Sequence, residues 1–400
     1  MDENTKKEII SCIEESMLES LSDLKIDFTG TNEKGEGYAA DFVFATVSGK
    51  GENKEYKEVY LAIKFGKRSK ELRAVILDCY RREAFFYDKV LSTFRDFQMK
   101  RNIVNSFSAF PKCYKIWFSD SLEALVLENL KRNGFALHDK SQPMNFQHIY
   151  LVLRSYAKFH ALSFALRDQQ VEKFNELTAD YDSILKKMIL GPGALENHYR
   201  ASCDLREAGR TDLAMKCEEI ENNRKGIFQE CLDDVPTEAV ITHGDCHNNN
   251  FLFEYEANDK DNPISVAIID WQLSEIHSPV MDLSYFLYCV APKEALAKLD
   301  VLLKYYHEHL TNFMRELGSD TAKLFPYHTL VKHWRKYSIF TFTFLVGVLK
   351  IIYVEKDHAP PTEGFQDMEK MFKGMKLTNE AVYRERLISV VDHFFNFILN

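Results

Sequence analysis

The sequence lacks several features that mark secreted or nucleic-acid-binding proteins. Its eight cysteines show no CxxC spacing, so we expect reduced thiols and a cytoplasmic protein, without a disulfide framework. The N-terminal sequence MDENTKKEII has no basic segment followed by an apolar core, and we therefore expect no signal peptide. The formal net charge of −9 argues against a nucleic-acid partner, because such binders usually carry a basic excess.

Long apolar runs are also missing. The most apolar segment, SIFTFTFLVGVL at residues 338–349, is bounded by Lys336 and Lys350 and contains serine and threonine. A membrane-spanning helix requires about 20 consecutive apolar residues. We therefore expect a buried helix here and no membrane partner. The oligomeric state cannot be predicted from these patterns.

The chain divides into two parts of different character. A length of 400 residues favours two lobes over one core. Short apolar runs separated by glycines and polar turns, over residues 28–65 and 113–130, predict strands. Later segments such as 150–166 have apolar residues at the three- and four-residue spacing of helices. We predict an α+β, bilobal fold with a small β-rich lobe at residues 1–130 and a large, mostly helical lobe at 131–400.

One polar cluster interrupts the helical part. The segment ITHGDCHNNNFLF begins at Ile241, and a second apolar run, ISVAIID, ends at Asp270. Two such runs joined by a polar loop predict an antiparallel hairpin, which would place Asn250 beside Asp270. An amide oxygen and a carboxylate are hard ligands that suit Mg²⁺ bound with substrate phosphates. Asp245 lies in the preceding turn, where it can reach the reacting end of a substrate.

The first part of the chain offers partners for this triplet. The sequence LAIK, ending at Lys64, has the form of the strand that carries a phosphate-binding lysine. Glu83 on a predicted helix could pair with Lys64 and hold it extended. Taken alone, Lys64 is typical of an edge strand and Glu83 of a solvated helix face. Gly35 and Gly37 could bring backbone amides close to phosphates, or could simply form a turn.

These motifs resemble those of a known superfamily. HGDCHNNN followed by IIDWQ is similar to the HGDxHxxN and IDxQ motifs of the choline kinase and aminoglycoside phosphotransferase superfamily. Within it, the sequence most resembles the ecdysteroid kinase-like (CHK kinase-like) family of arthropods. GEGYAADF, REAFFY, LVLENLKRNGF, KFHALS and HSPVMDLSYFL resemble that family's further landmarks, and the likeness extends from about residue 25 to residue 350. It implies a protein-kinase-like fold that binds ATP and Mg²⁺.

The resemblance implies roles for individual residues. Lys64 would contact the α- and β-phosphates, with Glu83 as its ion-pair partner. Asp245 would be the catalytic base, and Asn250 and Asp270 would be the magnesium ligands.

Further residues would have supporting roles. Backbone groups of Glu128 and Leu130 would bind adenine, His243 would order the catalytic loop, and Asp282 would be structural. Two features differ from protein kinases. GEGY lacks the GxGxxG pattern, and Asp270 is followed by Trp-Gln in place of Phe-Gly, which favours a small-molecule kinase.

Three functions are compatible with the sequence. The favoured one is a small-molecule kinase that transfers the γ-phosphate of ATP to a hydroxyl of an ecdysteroid-like or other hydroxylated acceptor. The second is a metal-dependent phosphoesterase with Asp245 and His247 as paired ligands. The third is an inactive nucleotide- or small-molecule-binding protein on the same fold. The aromatic residues that could line an acceptor pocket are Tyr285, Phe286, Tyr337, Phe340, Phe342 and Phe344, although each is also typical of a core.

Overall fold

The computed structural model describes residues 3–17, 20–31, 40–66, 73–140, 142–191, 199–256, 259–354 and 376–398. Gly35 and Gly37 lie outside the described residues, so the prediction for the glycine turn stays a prediction.

An antiparallel five-stranded sheet forms the first part of the chain. Its strands are β1 (Ser22–Thr31), β2 (Ala40–Lys50), β3 (Tyr56–Gly66), β4 (Cys113–Phe118) and β5 (Glu123–Glu128), and their order is β1-β2-β3-β5-β4. The strand β3 is central, so Lys64 does not lie on a sheet edge. Leu61 and Ile63 alternate with Lys64 and are fully buried, as the period of two predicts.

Helices cover this sheet. The first, α1 (Glu3–Met17), packs its buried Ile9 and Ile13 into the same apolar cluster as Leu61 and Ile63. Between β3 and β4 the described chain forms α2 (Arg73–Phe85), a π-helical turn (Phe86–Val90) and α3 (Leu91–Met99), so Glu83 lies on a helix, as predicted.

The predicted hairpin is confirmed. Strands β8 (Phe251–Tyr255) and β9 (Pro263–Ile268) pair antiparallel, with Phe251 opposite Ile268. The short β6 (Phe135–Leu137) adds a third strand, and β7 (Val240–Ile241) pairs with β10 (Ile276–His277).

The remainder of the described chain is largely helical. The helices are α4 (Phe146–Gln169), α5 (Val171–Thr178), α6 (Ile184–Leu190), α7 (Ala201–Glu207), α8 (Thr211–Asn222), α9 (Arg224–Asp233), α10 (Val280–Val290), α11 (Lys293–Leu296), α12 (Leu299–Glu316), α13 (Thr321–Leu324), α14 (Tyr327–Ile352) and α15 (Glu380–Ile398). The apolar run at 338–349 belongs to α14, as predicted. Among the described residues, no helix is long and apolar enough to cross a membrane.

The fold is therefore α+β, with a β-rich N-terminal sheet and a mostly helical C-terminal part, and the predicted fold class is confirmed. A lobe boundary at residue 130 remains a prediction. The chain does change character near that residue, where β5 ends and a short 3-10 turn (Leu130–Asn133) begins.

Candidate active site

The side chain of Lys64 joins the sheet to the hairpin. Its Nζ lies 2.6 Å from Oε2 of Glu83 on α2 and 2.7 Å from Oδ1 of Asp270, which follows β9. The side chains of Lys64 and Glu83 are 2% and 1% exposed. Charges this deeply buried are stable only when they are paired. The predicted partners of Lys64 are thus in contact, although their role in a reaction is still a prediction.

Two acidic side chains, Glu83 and Asp270, surround the single ammonium of Lys64 in this cluster. Burial raises the pKa of Glu83 to about 7, against the opposing effect of Lys64. Burial lowers the pKa of Lys64, but Asp270 and Glu83 outweigh it and hold that pKa above its ordinary value. Lys64 therefore stays cationic.

Asp245 lies in the loop before β8 and is held as a carboxylate. Burial raises its pKa, but His247, whose Nε2 is 3.4 Å from Oδ2, helps to lower the pKa to about 2. The Nδ2 of Asn250 donates to the main-chain oxygen of Asp245 at 2.8 Å and to Oδ2 at 3.1 Å. The hydroxyl of Tyr285 donates to Oδ1 at 3.3 Å.

Asp282, near the start of α10, anchors this loop. Its carboxylate accepts hydrogen bonds from the backbone N–H of His243 at 2.7 Å and of Gly244 at 2.9 Å. The ring of His243 contacts the carbonyl of Ile269 at 2.9 Å. Gly244 has a φ of +82°, in the region that favours glycine. His243 thus links the loop to the end of β9, which is the arrangement expected of a residue that orders the loop.

The hairpin brings Asn250 and Asp270 together. The N–H of Ile269 donates to the carbonyl of Asn250 at 3.0 Å. Asp270 has a φ of +67°, a left-handed conformation that aspartate tolerates better than most residues. Strained backbone of this kind clusters at functional sites.

The oxygens left at this pair suit a magnesium ion. The side-chain nitrogen of Asn250, Nδ2, donates a hydrogen bond to Asp245. The side-chain oxygen of Asn250, Oδ1, is therefore the group that can face a cation. Lys64 contacts Oδ1 of Asp270, which leaves Oδ2 for the same purpose. An amide oxygen and a carboxylate oxygen fit Mg²⁺, which usually keeps its remaining positions for water and substrate phosphates.

A cavity of about 230 Å³ lies behind the loop of Asp245. It is lined by Thr178, Tyr181, Ser183, Leu185, Leu232, Val235, Thr242, Gly244, Glu275, Ile276, His277, Met281, Tyr285, Phe340, Thr341 and Phe344. Three of the six aromatic candidates, Tyr285, Phe340 and Phe344, are among them. The others do not line it: Phe342, for example, stacks on Phe394 of α15, with ring centroids 3.9 Å apart.

The segment predicted to bind adenine follows β5. The backbone N–H of Glu128 donates to the carbonyl of Lys112 at 2.8 Å, so this N–H is not free for a ligand. Leu130 packs in a small apolar cluster with Leu252 of β8 and Ala267 of β9. That backbone groups of Glu128 and Leu130 bind adenine stays a prediction.

Sequence patterns missed the contacts that His160 makes. The buried ring of His160 on α4 contacts the hydroxyl of Tyr306 through Nδ1 at 2.9 Å, as in many core histidines. Its Nε2, however, lies 3.1 Å from Oδ2 of Asp282, so it also supports the carboxylate that anchors the loop. The KFHALS motif was the available signal, but nothing local connects it with Asp282.

Comparison with known proteins identifies the class. The model of the ecdysteroid kinase-like family matches residues 34–319, which is most of the chain. The predicted class is thereby confirmed: the protein is a small-molecule kinase, a phosphotransferase with a hydroxyl acceptor. More specifically, the chain belongs to the ecdysteroid kinase-like family.

Solved structures with similarity to the chain include two small-molecule kinases. The GDP complex of wild-type aminoglycoside 2′-phosphotransferase-IIIa is 12% identical over 98% of this chain and 99% of its own, with a TM-score of 0.41. Glucosamine kinase in complex with glucosamine, ADP and inorganic phosphate is 13% identical over 82% of this chain and 91% of its own, with a TM-score of 0.32. No curated protein matches the chain in sequence.

Proposed function

We propose that the protein transfers the γ-phosphate of ATP to a hydroxyl of an ecdysteroid-like or other hydroxylated small molecule. The observation that carries the proposal is the contact of Lys64 with both Glu83 and Asp270. In the loop before β8, Asp245 accepts a hydrogen bond from Asn250. This is the set of side chains that phosphoryl transfer requires in kinase-like enzymes. The free thiols of all eight cysteines fit a cytoplasmic location.

In this proposal, ATP binds between the sheet and the hairpin. The small side chain of Ala62 on the face of Lys64, and the apolar cluster of Leu130, Leu252 and Ala267, provide room and a surface for the adenine ring. The Nζ of Lys64 contacts the α- and β-phosphates. Asn250 and Asp270 would hold Mg²⁺, which would supply positive charge that neutralises the phosphates.

Asp245 acts on the acceptor. As an ionised carboxylate it accepts a hydrogen bond from the acceptor hydroxyl and aligns that oxygen with the γ-phosphorus. The new bond forms between these two atoms while the bond from the γ-phosphorus to the β–γ bridging oxygen breaks and ADP leaves. The hydroxyl proton passes to Asp245 late in the step, and Lys64 stabilises the charge on the phosphates.

The cavity beside this loop indicates the class of acceptor. Its lining contains no lysine or arginine among the described residues, and its one carboxyl, Glu275, has a pKa that burial raises to about 7. Such a lining favours an uncharged, mainly apolar molecule over a carboxylate or a phosphate. The volume of about 230 Å³ lies below the range of roughly 300–1,000 Å³ typical of ligand pockets, so a molecule as large as a steroid would enter with one end.

Two alternatives have less support. A two-metal phosphoesterase requires clustered ligands, and over the ranges that the structure describes no group of three or more His, Cys, Asp or Glu residues could hold a metal ion. An inactive binding protein would not need Asp245 to be held in place by Asn250 and Tyr285.

The test is a transfer assay. The purified protein is incubated with Mg²⁺ and ATP labelled at the γ-phosphate, together with a panel of ecdysteroids, choline, aminoglycosides and hydroxylated plant toxins. We expect transfer to a hydroxylated apolar acceptor, and loss of that transfer in Asp245→Asn. Phosphate release from esters without ATP would favour the phosphoesterase, and ATP binding without turnover would favour the inactive protein.

A further inference from the structure

Tyr285 lies between the cavity and the proposed catalytic base, because it lines the cavity and contacts Asp245, which does not itself line it. It is a half-buried residue of α10, about one helical turn after Asp282. Its ring lines the cavity and packs edge-to-face on Phe344, with ring centroids 5.6 Å apart. Its hydroxyl donates to Oδ1 of Asp245 at 3.3 Å. One side chain therefore contacts both the space for the acceptor and the carboxylate that would receive its proton.

The two oxygens of Asp245 have different surroundings. Oδ2 accepts from Asn250 at 3.1 Å and lies 3.4 Å from the His247 ring. Within the part of the chain that the structure describes, Tyr285 is the one side chain that donates a hydrogen bond to Oδ1. A carboxylate oxygen can accept two hydrogen bonds, so Oδ1 keeps one position for an incoming hydroxyl. Oδ1 is therefore the oxygen better placed to act on the acceptor.

We propose that Tyr285 is an acceptor-positioning residue of this kinase. Its hydroxyl holds Oδ1 of Asp245 in place for the acceptor oxygen, and its ring forms the wall against which the apolar part of the acceptor packs. The inference rests on the proposed function, because it assigns the acceptor to this cavity. The hydrogen bond of 3.3 Å is long for two oxygens, and contacts of this type commonly shorten once substrate is bound.

Two substitutions separate the hydroxyl from the ring. Tyr285→Phe keeps the ring and removes the donor to Oδ1, whereas Tyr285→Leu removes the aromatic wall as well. We expect Tyr285→Phe to lower kcat on the order of 10-fold or more, because a hydrogen bond to a charged group is lost, with the KM values for ATP and acceptor unchanged. We expect Tyr285→Leu in addition to raise the KM for the acceptor, with the KM for ATP again unchanged.

Two reactions are measured. In the first, ecdysone is the phosphate acceptor; in the second, slow hydrolysis of ATP, water is the acceptor. Both reactions need an oxygen aligned by Asp245, so Tyr285→Phe should lower both rates. Tyr327→Phe is the matched control, because this tyrosine on α14 donates to an aspartate, Oδ1 of Asp300, at 2.8 Å outside the cavity lining. It should leave both kcat and KM at the wild-type values. Thermal unfolding of each variant shows whether the protein is folded.

The outcomes test the role of Tyr285 separately from the proposed kinase function. A drop in kcat at constant KM, in a Tyr285→Phe protein with a wild-type Tm, supports the positioning role, since a merely structural role would lower Tm instead. Wild-type kcat in Tyr285→Phe overturns the role of Tyr285 and leaves the kinase proposal standing. A wild-type protein that turns over no ATP with ecdysone, water or any acceptor of the panel overturns the proposed function, and the role of Tyr285 with it.

Discussion

Lys64 and Asp270 form an ion pair of 2.7 Å between the N-terminal sheet and the end of the hairpin, across 206 positions of the chain. The pair brings the proposed phosphate-binding lysine and a proposed magnesium ligand into direct contact. When nucleotide and metal bind, phosphates become partners for Lys64 and the metal becomes a partner for Asp270. Glu83 would then be the protein group that still holds Lys64, which makes its contribution testable.

We predict that Glu83→Gln weakens the use of ATP. The neutral amide forms no ion pair with Lys64, so once the metal is the partner of Asp270 no carboxylate holds the ammonium in place for the phosphates. A hydrogen bond between charged groups contributes about 1.5–3 kcal/mol, so kcat/KM for ATP should fall roughly 10- to 100-fold. Steady-state kinetics at varied ATP concentration measure this change.

The control is Glu221→Gln. Glu221 is also buried, and its carboxylate accepts from the backbone and the hydroxyl of Ser202; it lies on α8, which carries none of the proposed site residues. It should lower Tm without changing kcat/KM per folded molecule. Equal kinetic effects in both variants would contradict a specific role for Glu83.

We predict that Asp245→Asn abolishes most of the transfer. The amide keeps the shape of the side chain but cannot take the hydroxyl proton. Positioned acid–base groups contribute about 10²- to 10⁴-fold to rates, so kcat should fall by that order while the Kd for Mg-ATP, measured by calorimetry, stays unchanged. Asp259→Asn, in the loop between β8 and β9, is the control and should be fully active. A comparable loss of ATP affinity in Asp245→Asn would argue against the role of a base.

Local sequence patterns predicted the elements that carry the site. The alternation around Lys64 and the two apolar runs of the hairpin are short-range signals, and pairing β8 with β9 necessarily places Asn250 near Asp270. The contact between Lys64 and Glu83 could not be predicted from local patterns, because nothing in the sequence shows how α2 packs on the sheet. There the family resemblance supplied the pairing.

Other parts of the site could not be predicted. The bond between His160 and Asp282 joins residues 122 positions apart, and a buried histidine in a helix has the same local pattern whether or not it contacts the loop. The lining of the cavity comes from α5, α6, α9, β10, α10, α14 and neighbouring loops, so only the packed structure separates Phe344 from Phe342. The engaged N–H of Glu128 depends on the loop before β4, for which the sequence carries no signal.

Gly244 is predicted to tolerate no side chain. A Cβ there would lie 1.9 Å from the carbonyl oxygen of Leu273, in addition to the positive φ of +82°. The φ alone costs an L-residue about 1–2 kcal/mol, and the clash must displace the loop that carries Asp245. We expect Gly244→Ala to lose both stability and activity, measured by Tm and by phosphate transfer.

The matched control is Gly209→Ala. Gly209 has a similar φ of +76°, but nothing lies within 4 Å of the added Cβ. Gly209→Ala should lose the stability that the positive φ costs, without a steric clash, and should keep full activity. If the two variants lost equal stability and activity, the contact with Leu273 would have no consequence.

Acid should destabilise the fold through His148 of α4. Burial lowers the pKa of His148 from 6.5 to about 4, and the neutral ring is satisfied by Asn145 and Tyr255. The unfolded chain therefore binds a proton that the folded chain does not, and the free energy of unfolding falls as the pH drops from 6.5 towards 4, by up to about 1.4 kcal/mol per pH unit.

Denaturant unfolding between pH 7 and 5 should show a shallower decline in His148→Gln, whereas His328→Gln, on the exposed side of α14, should keep the wild-type slope. Identical slopes for wild type and His148→Gln would show that His148 takes up its proton equally in both states.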